Sequence, residues 1–460
     1  MDSSIQPKIN ESKYSYLKMQ DTVVMEFNIS DGYYKLFRPD LMPFIIRNSI
    51  IDTSEEKNIN PMNIIKNANA MFEFYTHRSL SINRENAKFI LNQLGISQKN
   101  DLETKVKMME ICKGLSVADD YWISSDINEN WNDVNLRDNP LHETLAQIAL
   151  FGKSLSITGK IRTPELTGLG AYAKAWFREN GVLFLYKAGT KGGNEAQREV
   201  QTSKILDCFN VPQVQYSLTE KDGLTVSKCK AMNNADYSIV DAGDIASWCS
   251  RNNIIFEDLV KKIDSENYYK TIIVDYLCSN RDRHDGNWGF FMNNKTGEII
   301  TLHPLFDHNN CFDKDFMEDE TGGFCQLMPG KNQQEAALYA IKKCSFHCIK
   351  AVTRDIFLND QMYFTFMKRA EQLGLYKKRK LTLLDKLKGD KNVFIPVSIE
   401  KDDRDNYFFS LEKQKNLQNF VYENKMNPNK KSKEVSDLSL KDKTHRIENG
   451  RDETFPTRSD

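Results

Sequence analysis

Apolar runs along the chain are short and are separated by Asn-, Lys- and Gly-rich stretches. DTVVMEFNI, residues 21–29, has the pattern of a strand, and RENAKFILNQLGI, residues 84–96, that of a helix stopping near Gly95. MEICKGLSVADDYWI, residues 109–123, passes from a helix into an aromatic turn. GVLFLYKAG, residues 181–189, reads as a buried strand that ends at a lysine and a glycine. In NEAQREVQTSKILDCF, Val200, Ile205 and Leu206 fall on a helical repeat, and DGLTVSKCKAM then reads as a strand after a turn. SENYYKTIIVDYLCSN places Tyr269, Ile272, Ile273, Tyr276 and Leu277 at three- and four-residue steps, which gives a helix with one apolar face. Strands at 288–292 and 298–303 flank the turn NNKTG as a hairpin. Helical patterns dominate from about residue 327 to about 425, and the polar stretch that begins NPNKKSKEV reads as disordered. Residues 1–100 alternate short apolar runs with Asn- and Lys-rich turns and offer no catalytic cluster. No internal repeat is present.

Composition narrows the classes. With 460 residues, 40% hydrophobic and 28% charged, most of the chain is expected to be globular, in two or three domains. The 63 Lys+Arg nearly balance the 64 Asp+Glu, so no global field that would recruit nucleic acid or an anionic membrane is expected. No apolar run reaches the roughly 18–20 residues that span a bilayer, and the opening MDSSIQPKINESKYSYLK lacks a secretory apolar stretch. A cytoplasmic location follows as the default expectation. The nine cysteines are scattered without a CxxC pair, which suits reduced thiols. Cys344, His347 and Cys348 lie in EAALYAIKKCSFHCIKAV, which reads as a helix with no second ligand pair nearby, so a zinc site is disfavoured.

The chemistry concentrates in SNRDRHDGNWGFF, residues 279–291. Phosphoryl transfer needs an acid near the attacking hydroxyl, oxygen ligands for Mg²⁺ and a cation on the phosphates. Asp282 and Asn287 stand five positions apart on a loop leaving a helix, the D-x-x-x-x-N spacing that protein kinases use for a base and a metal ligand. A hairpin leads from there to a second acid, Asp307, in PLFDHNN. Alone, NRDRHDGN would read as an ion-paired surface loop; the flanking apolar segments, the hairpin and the second acid favour a site. No G-x-x-x-x-G-K-[ST] sequence exists, which disfavours a P-loop NTPase.

NRDRHDGNWGFF followed by PLFDHN resembles the HipA-like serine/threonine kinases, including their shorter CtkA-like members, which are related to the phosphatidylinositol kinases. TPELTGLGAYAKAW, LFLYKAG and REVQTSKIL resemble the family's small lobe in order and spacing, and the resemblance covers roughly residues 105–350. It implies an α+β, two-lobed protein-kinase-like fold with a small mixed β-sheet lobe, a larger helical C-lobe and an N-terminal extension. The corresponding division is an α/β accessory region at 1–104, linker and N-lobe at 105–235, helical C-lobe at 236–426 and a disordered tail at 427–460. It further implies ATP and Mg²⁺ as cofactors and Ser/Thr of a protein as acceptor.

By the same resemblance Asp282 is the catalytic aspartate, Asn287 and Asp307 bind Mg²⁺, His284 supports the loop or touches phosphate, and Arg283 is structural. Lys187 holds the α- and β-phosphates and pairs with Glu199, with Glu195 as a competing choice. Gly168 and Gly170 cover phosphates through backbone N–H groups, and Lys174 also faces the nucleotide. The adenine edge is read by backbone from about Lys228 through Cys229 to Lys230. Tyr121 and Trp122 are expected in the core. Lipid kinases share D-R-H-x-x-N but usually continue to I-D-F-G, whereas this chain has L-F-D-H-N. A degenerate, non-catalytic kinase fold would lack a key group, and none of these is missing. HipA toxins carry an autophosphorylated serine in a phosphate loop; TGLGAYAK has none at the comparable place, although Thr167 and Ser156 lie near. Growth-arresting toxicity and an antitoxin or regulatory partner are further implications of the family, with no direct nucleic-acid contact expected of this chain.

Overall fold

A computed structural model describes residues 14–168, 170–190, 193–389 and 392–397, and the stretch read as a disordered tail lies outside them. The chain is mixed α+β, with several small antiparallel sheets. Strands β1 (Ser15–Met19), β2 (Thr22–Asn28) and β3 (Tyr33–Leu36) begin it. They are followed by helices α1 (Pro61–Arg78), α2 (Ala87–Gln93) and α3 (Leu102–Cys112) and by strand β4 (Tyr121–Ser124). The four strands form one sheet in the order β3–β2–β1–β4, so β4 joins the sheet from beyond residue 104. Helix α1 starts where Asn60 accepts from the Met62 N–H and Pro61 fills the first helical position. Asp101 caps α3 through the Thr104 N–H.

Helix α4 (Glu143–Phe151) precedes strands β5 (Lys174–Glu179) and β6 (Val182–Ala188), helix α5 (Glu195–Leu206) and strands β7 (Tyr216–Lys221) and β8 (Leu224–Lys230). The sheet β5–β6–β8–β7 is antiparallel throughout, not mixed as expected from the resemblance. A cluster of Leu115, Val117, Trp122, Trp131, Val134, Leu136 and Leu183, with Trp176 against it, fastens this sheet to the segment preceding it.

Strand β9 (Tyr237–Asp241), helices α6 (Ala242–Arg251) and α7 (Phe256–Leu277), and strands β10 (Gly289–Asn293) and β11 (Ile299–Leu302) come next, with a sheet in the order β11–β10–β9. The expected hairpin around NNKTG is β10–β11. Within α7, Asp264 leaves helical geometry, and its carboxylate accepts from the Asn267 N–H and from Thr301. The apolar-faced helix read from SENYYKTIIVDYL therefore has its own cap at a kink inside a longer element.

The remaining elements are α8 (Lys314–Glu318), α9 (Gln333–Ala340), α10 (Asp360–Gln372), β12 (Tyr376–Arg379), α11 (Leu383–Leu387) and β13 (Val393–Pro396). The helix expected across Cys344–Cys348 ends at Ala340 instead; the following residues turn, and Cys348 bridges to Phe209. The Asn332–Glu335 capping box fixes the start of α9 but supplies no apolar stripe long enough to continue it.

Candidate active site

Strand β6 carries Lys187 near its end, directly opposite Lys174 of β5. Residues paired across a ladder share a face, so both ammonium groups reach the same side of the sheet. Lys187 forms an ion pair with Asp307 and lies 3.4 Å from a Glu199 carboxylate oxygen on α5. Glu199 is fully buried and accepts a short hydrogen bond from Ser227 of β8. Glu195, the competing choice, faces Thr190 instead, accepting from its hydroxyl at 2.7 Å. Burial alone would lower the pKa of Lys187, but Asp307 and Glu199 outweigh it and hold it above its usual value. Burial opposes ionisation of Asp307 as well, yet Lys187 overcomes this and draws it below the carboxylate range.

The Lys174 ammonium has no hydrogen-bond or ion-pair partner among the described residues. Burial, then the nearby Arg84 and Lys187 cations, bring its pKa down to about 7. A cation placed opposite another cation, in a pocket, is the arrangement that a polyanion would relieve. Gly170 turns at φ +100°, and a Cβ there would sit 2.8 Å from the Lys174 ammonium. The loop is braced from the N-terminal region: Leu80 N–H donates to Leu166 O at 2.8 Å, Glu85 N–H to Ala171 O at 2.9 Å, and Thr167 Oγ1 to Leu115 O at 2.6 Å. Buried Arg84 donates to the Lys174 carbonyl and lies 3.3 Å from Glu165.

The NRDRHDGN segment leaves α7 through a left-handed Ser279. Arg283, 2% exposed, is its anchor. Its guanidinium pairs with Asp275 at 3.0 Å, donates to Asn287 O at 2.7 Å and donates to Phe306 O at 2.9 Å. One side chain thus ties the loop of Asp282 and Asn287 to the residue preceding Asp307. Asn287 donates from Nδ2 to Asp282 O at 2.7 Å, which leaves its oxygen without a partner among the described residues. Asn310 donates to Asp282 Oδ2 at 2.6 Å and accepts from Tyr172 Oη at 3.3 Å. His284 is exposed; its Nδ1 accepts from the Gly286 N–H at 3.1 Å, which closes the turn between Asp282 and Asn287.

Lys187, Lys174, Gly168, Gly170, Asp282, His284, Asn287 and Asp307 all line one cavity of about 600 Å³, within the range of small-ligand sites. Cys229 and Lys230 line it too, followed by Ala231 and Met232. Lys228 does not: its ammonium pairs with Glu179 and lies over the Phe184 ring. Strand alternation turns Lys228 to the face opposite Cys229; Lys230 borders the cavity at the last position of β8. Trp122 is fully buried, as expected; Tyr121 is 3% exposed and also reaches the cavity wall.

Among the described residues, no three His, Cys, Asp or Glu side chains converge as a metal site. The oxygen donors here are one carboxylate, Asp307, and one amide, Asn287. Such a pair suits Mg²⁺, which retains water and takes phosphate oxygens alongside one or two protein ligands. Sequence reading did not find Asn310, Tyr172, Arg84 or Glu165. The asparagine pair after Asp307 was a visible signal; Arg84 opens a helical pattern and carried none.

No family model and no curated protein matches the chain. Among solved structures, the chain is similar to the Helicobacter pylori proinflammatory kinase CtkA, with 16% identity and a TM-score of 0.34, over 46% of this chain and 91% of that one. It is also similar to HipA of the Shewanella oneidensis MR-1 toxin–antitoxin system, solved with HipB and operator DNA. There the identity is 11% and the TM-score 0.43, over 78% of this chain and 95% of that one.

Proposed function

We propose that the chain is an ATP- and Mg²⁺-dependent kinase of the HipA-like type that phosphorylates Ser or Thr of a protein, with the cleft between a β-sheet lobe and a helical lobe as its active site. The observation that carries this reading is the Arg283 anchor. By binding Asn287 O and Phe306 O together, it sets Asp282, Asn287 and Asp307 around the same cavity as Lys187.

Asp282 receives the acceptor hydroxyl, orients its oxygen toward the γ-phosphorus and takes its proton as the new O–P bond forms and the bond to the β-phosphate oxygen breaks. Lys187 moves from Asp307 toward the α- and β-phosphates and neutralises charge on the departing diphosphate. Lys174 adds a second positive charge beneath the glycine loop, and Glu199 keeps Lys187 directed. Asn287 and Asp307 would hold Mg²⁺, which supplies charge neutralisation on the triphosphate oxygens. Backbone of Cys229 and Lys230 borders the adenine, with Ala231 and Met232 continuing that edge.

The test is transfer of labelled phosphate from ATP with Mg²⁺ to a protein mixture and, separately, to phosphatidylinositol vesicles. The wild-type chain is expected to label protein Ser/Thr, with Asp282→Ala reducing transfer about 10²–10³-fold. Full activity of Asp282→Ala, or labelling of lipid alone, defeats the reading.

A further inference from the structure

The cavity does not end at the catalytic residues. Its wall also includes Phe44, Phe74 and His77 from the N-terminal region and Asp241 and Asp244 at the start of α6. The N-terminal hundred residues, in which the sequence offered no catalytic cluster, thus enter the cleft wall.

Two of the acidic groups there have partners. Asp119 takes both Arg78 nitrogens, at 2.6 and 2.7 Å, and the Tyr121 N–H. Asp244 has His77 at 3.3 Å. Asp241 occupies the N-cap position of α6, where a carboxylate ordinarily accepts a backbone N–H, yet it makes no capping bond. It has no hydrogen-bond or ion-pair partner among the described residues. Its surroundings desolvate it strongly, and with Asp244 beside it the carboxyl is pushed up to about 7. The cations that act on it, His77 and Lys174, do not offset the desolvation and the neighbouring Asp244. The Gly243 N–H donates to Asp285 O at 3.2 Å, which fixes the start of α6 against the catalytic loop. Phe44 and Phe74 offer apolar faces along which the aliphatic stem of a long basic side chain can lie.

We propose that this stretch of the cleft wall is the acceptor-recognition subsite and that Asp241 and Asp244 receive an arginine or lysine of the polypeptide acceptor, close in sequence to the phosphorylated hydroxyl. The proposal rests on the reading of the cleft as a phosphotransfer site. The lysines then hold the triphosphate and the two acids hold the acceptor, and an acidic acceptor is repelled by Asp241 and Asp244.

Binding separates this from the kinase reading. Fluorescent Ser-centred peptides, identical except for Arg, Gln or Glu at each flanking position in turn, are titrated with the full chain and Mg²⁺–AMP-PNP by anisotropy. Arg at one position is expected to bind about tenfold more tightly than Glu. Asp241→Asn with Asp244→Asn removes that preference, and Asp241→Lys inverts it; asparagine keeps a favoured N-cap residue at 241. Mg²⁺–ATP should stabilise Asp241→Asn against heat as much as wild type. Equal affinity of wild type for Arg and Glu peptides overturns the proposal, as does a preference that survives in the double variant. Lost nucleotide stabilisation in Asp241→Asn overturns it too, since the carboxylate would then belong to the nucleotide. Charge-selective binding without phosphate transfer supports this subsite and counts against the kinase reading.

Discussion

Asn310 joins two parts of the cleft, since its amide donates to Asp282, 28 positions away, and accepts from Tyr172 of the glycine loop, 138 positions away. Replacing it with alanine frees one oxygen of Asp282 to rotate. In steady-state kinetics Asn310→Ala is expected to lower kcat about 10- to 100-fold while KM for ATP changes little, because misplacement of a reacting group falls on the chemical step. A change confined to KM would place Asn310 in nucleotide binding instead. Asp241 gives a second prediction. Its folded pKa of about 7 lies above the ordinary 3.8, so the folded chain binds this proton more tightly than the unfolded chain. Its contribution is complete below about pH 4 and is lost as pH rises to about 7, at no more than about 1.4 kcal/mol per pH unit. Asp244 and Asp119 push in the same direction, while His77 and Lys174 oppose. Melting temperatures across pH 4–7 should therefore fall less with rising pH in Asp241→Asn than in wild type; parallel curves would contradict the assignment.

Among elements, the glycine loop depends on the N-terminal region. Arg84 and Glu165 are both nearly inaccessible, with side chains 1% and 2% exposed. Arg84→Ala leaves Glu165 charged and unpaired in the interior, and a loss of about 3–5 kcal/mol in urea denaturation is expected. A loss under about 1 kcal/mol would mean that water replaces the guanidinium. This brace shows where sequence reading stops. The segments with strong periodicity were legible: β2, β6, α5, β8, the β10–β11 hairpin and the second half of α7 fall where their patterns put them. Lys187, Asp282, Asn287 and Asp307 were legible from spacing and resemblance. Helix α1 was not, because its Asn-containing sequence carries Met62 and Ile65 on an exposed side and blurs the apolar stripe. Strand β5 was hidden behind the TGLGAYAK motif. Arg84 and His77 reach the site through tertiary packing alone, and no local pattern encodes that. The helix read through Cys344 continued a composition that suits helices past the point where its apolar face ends.

On the scale of the whole molecule, near-neutral charge coexists with a densely charged cleft. Lys174, Lys187, Asp241 and Asp244 all line it, while the 63 basic and 64 acidic residues of the chain nearly cancel in number. No described helix is long and apolar enough to cross a membrane. Under the proposed function, Asp307 and Asn287 in that cleft would share a divalent ion with a nucleotide held by Lys187. Calorimetric titration of AMP-PNP with and without Mg²⁺ addresses it directly. In the wild-type chain Mg²⁺ should strengthen binding tenfold or more, about 1.4 kcal/mol, and Asp307→Asn should abolish that gain. Equal enhancement by Mg²⁺ in Asp307→Asn, or none in wild type, would contradict it.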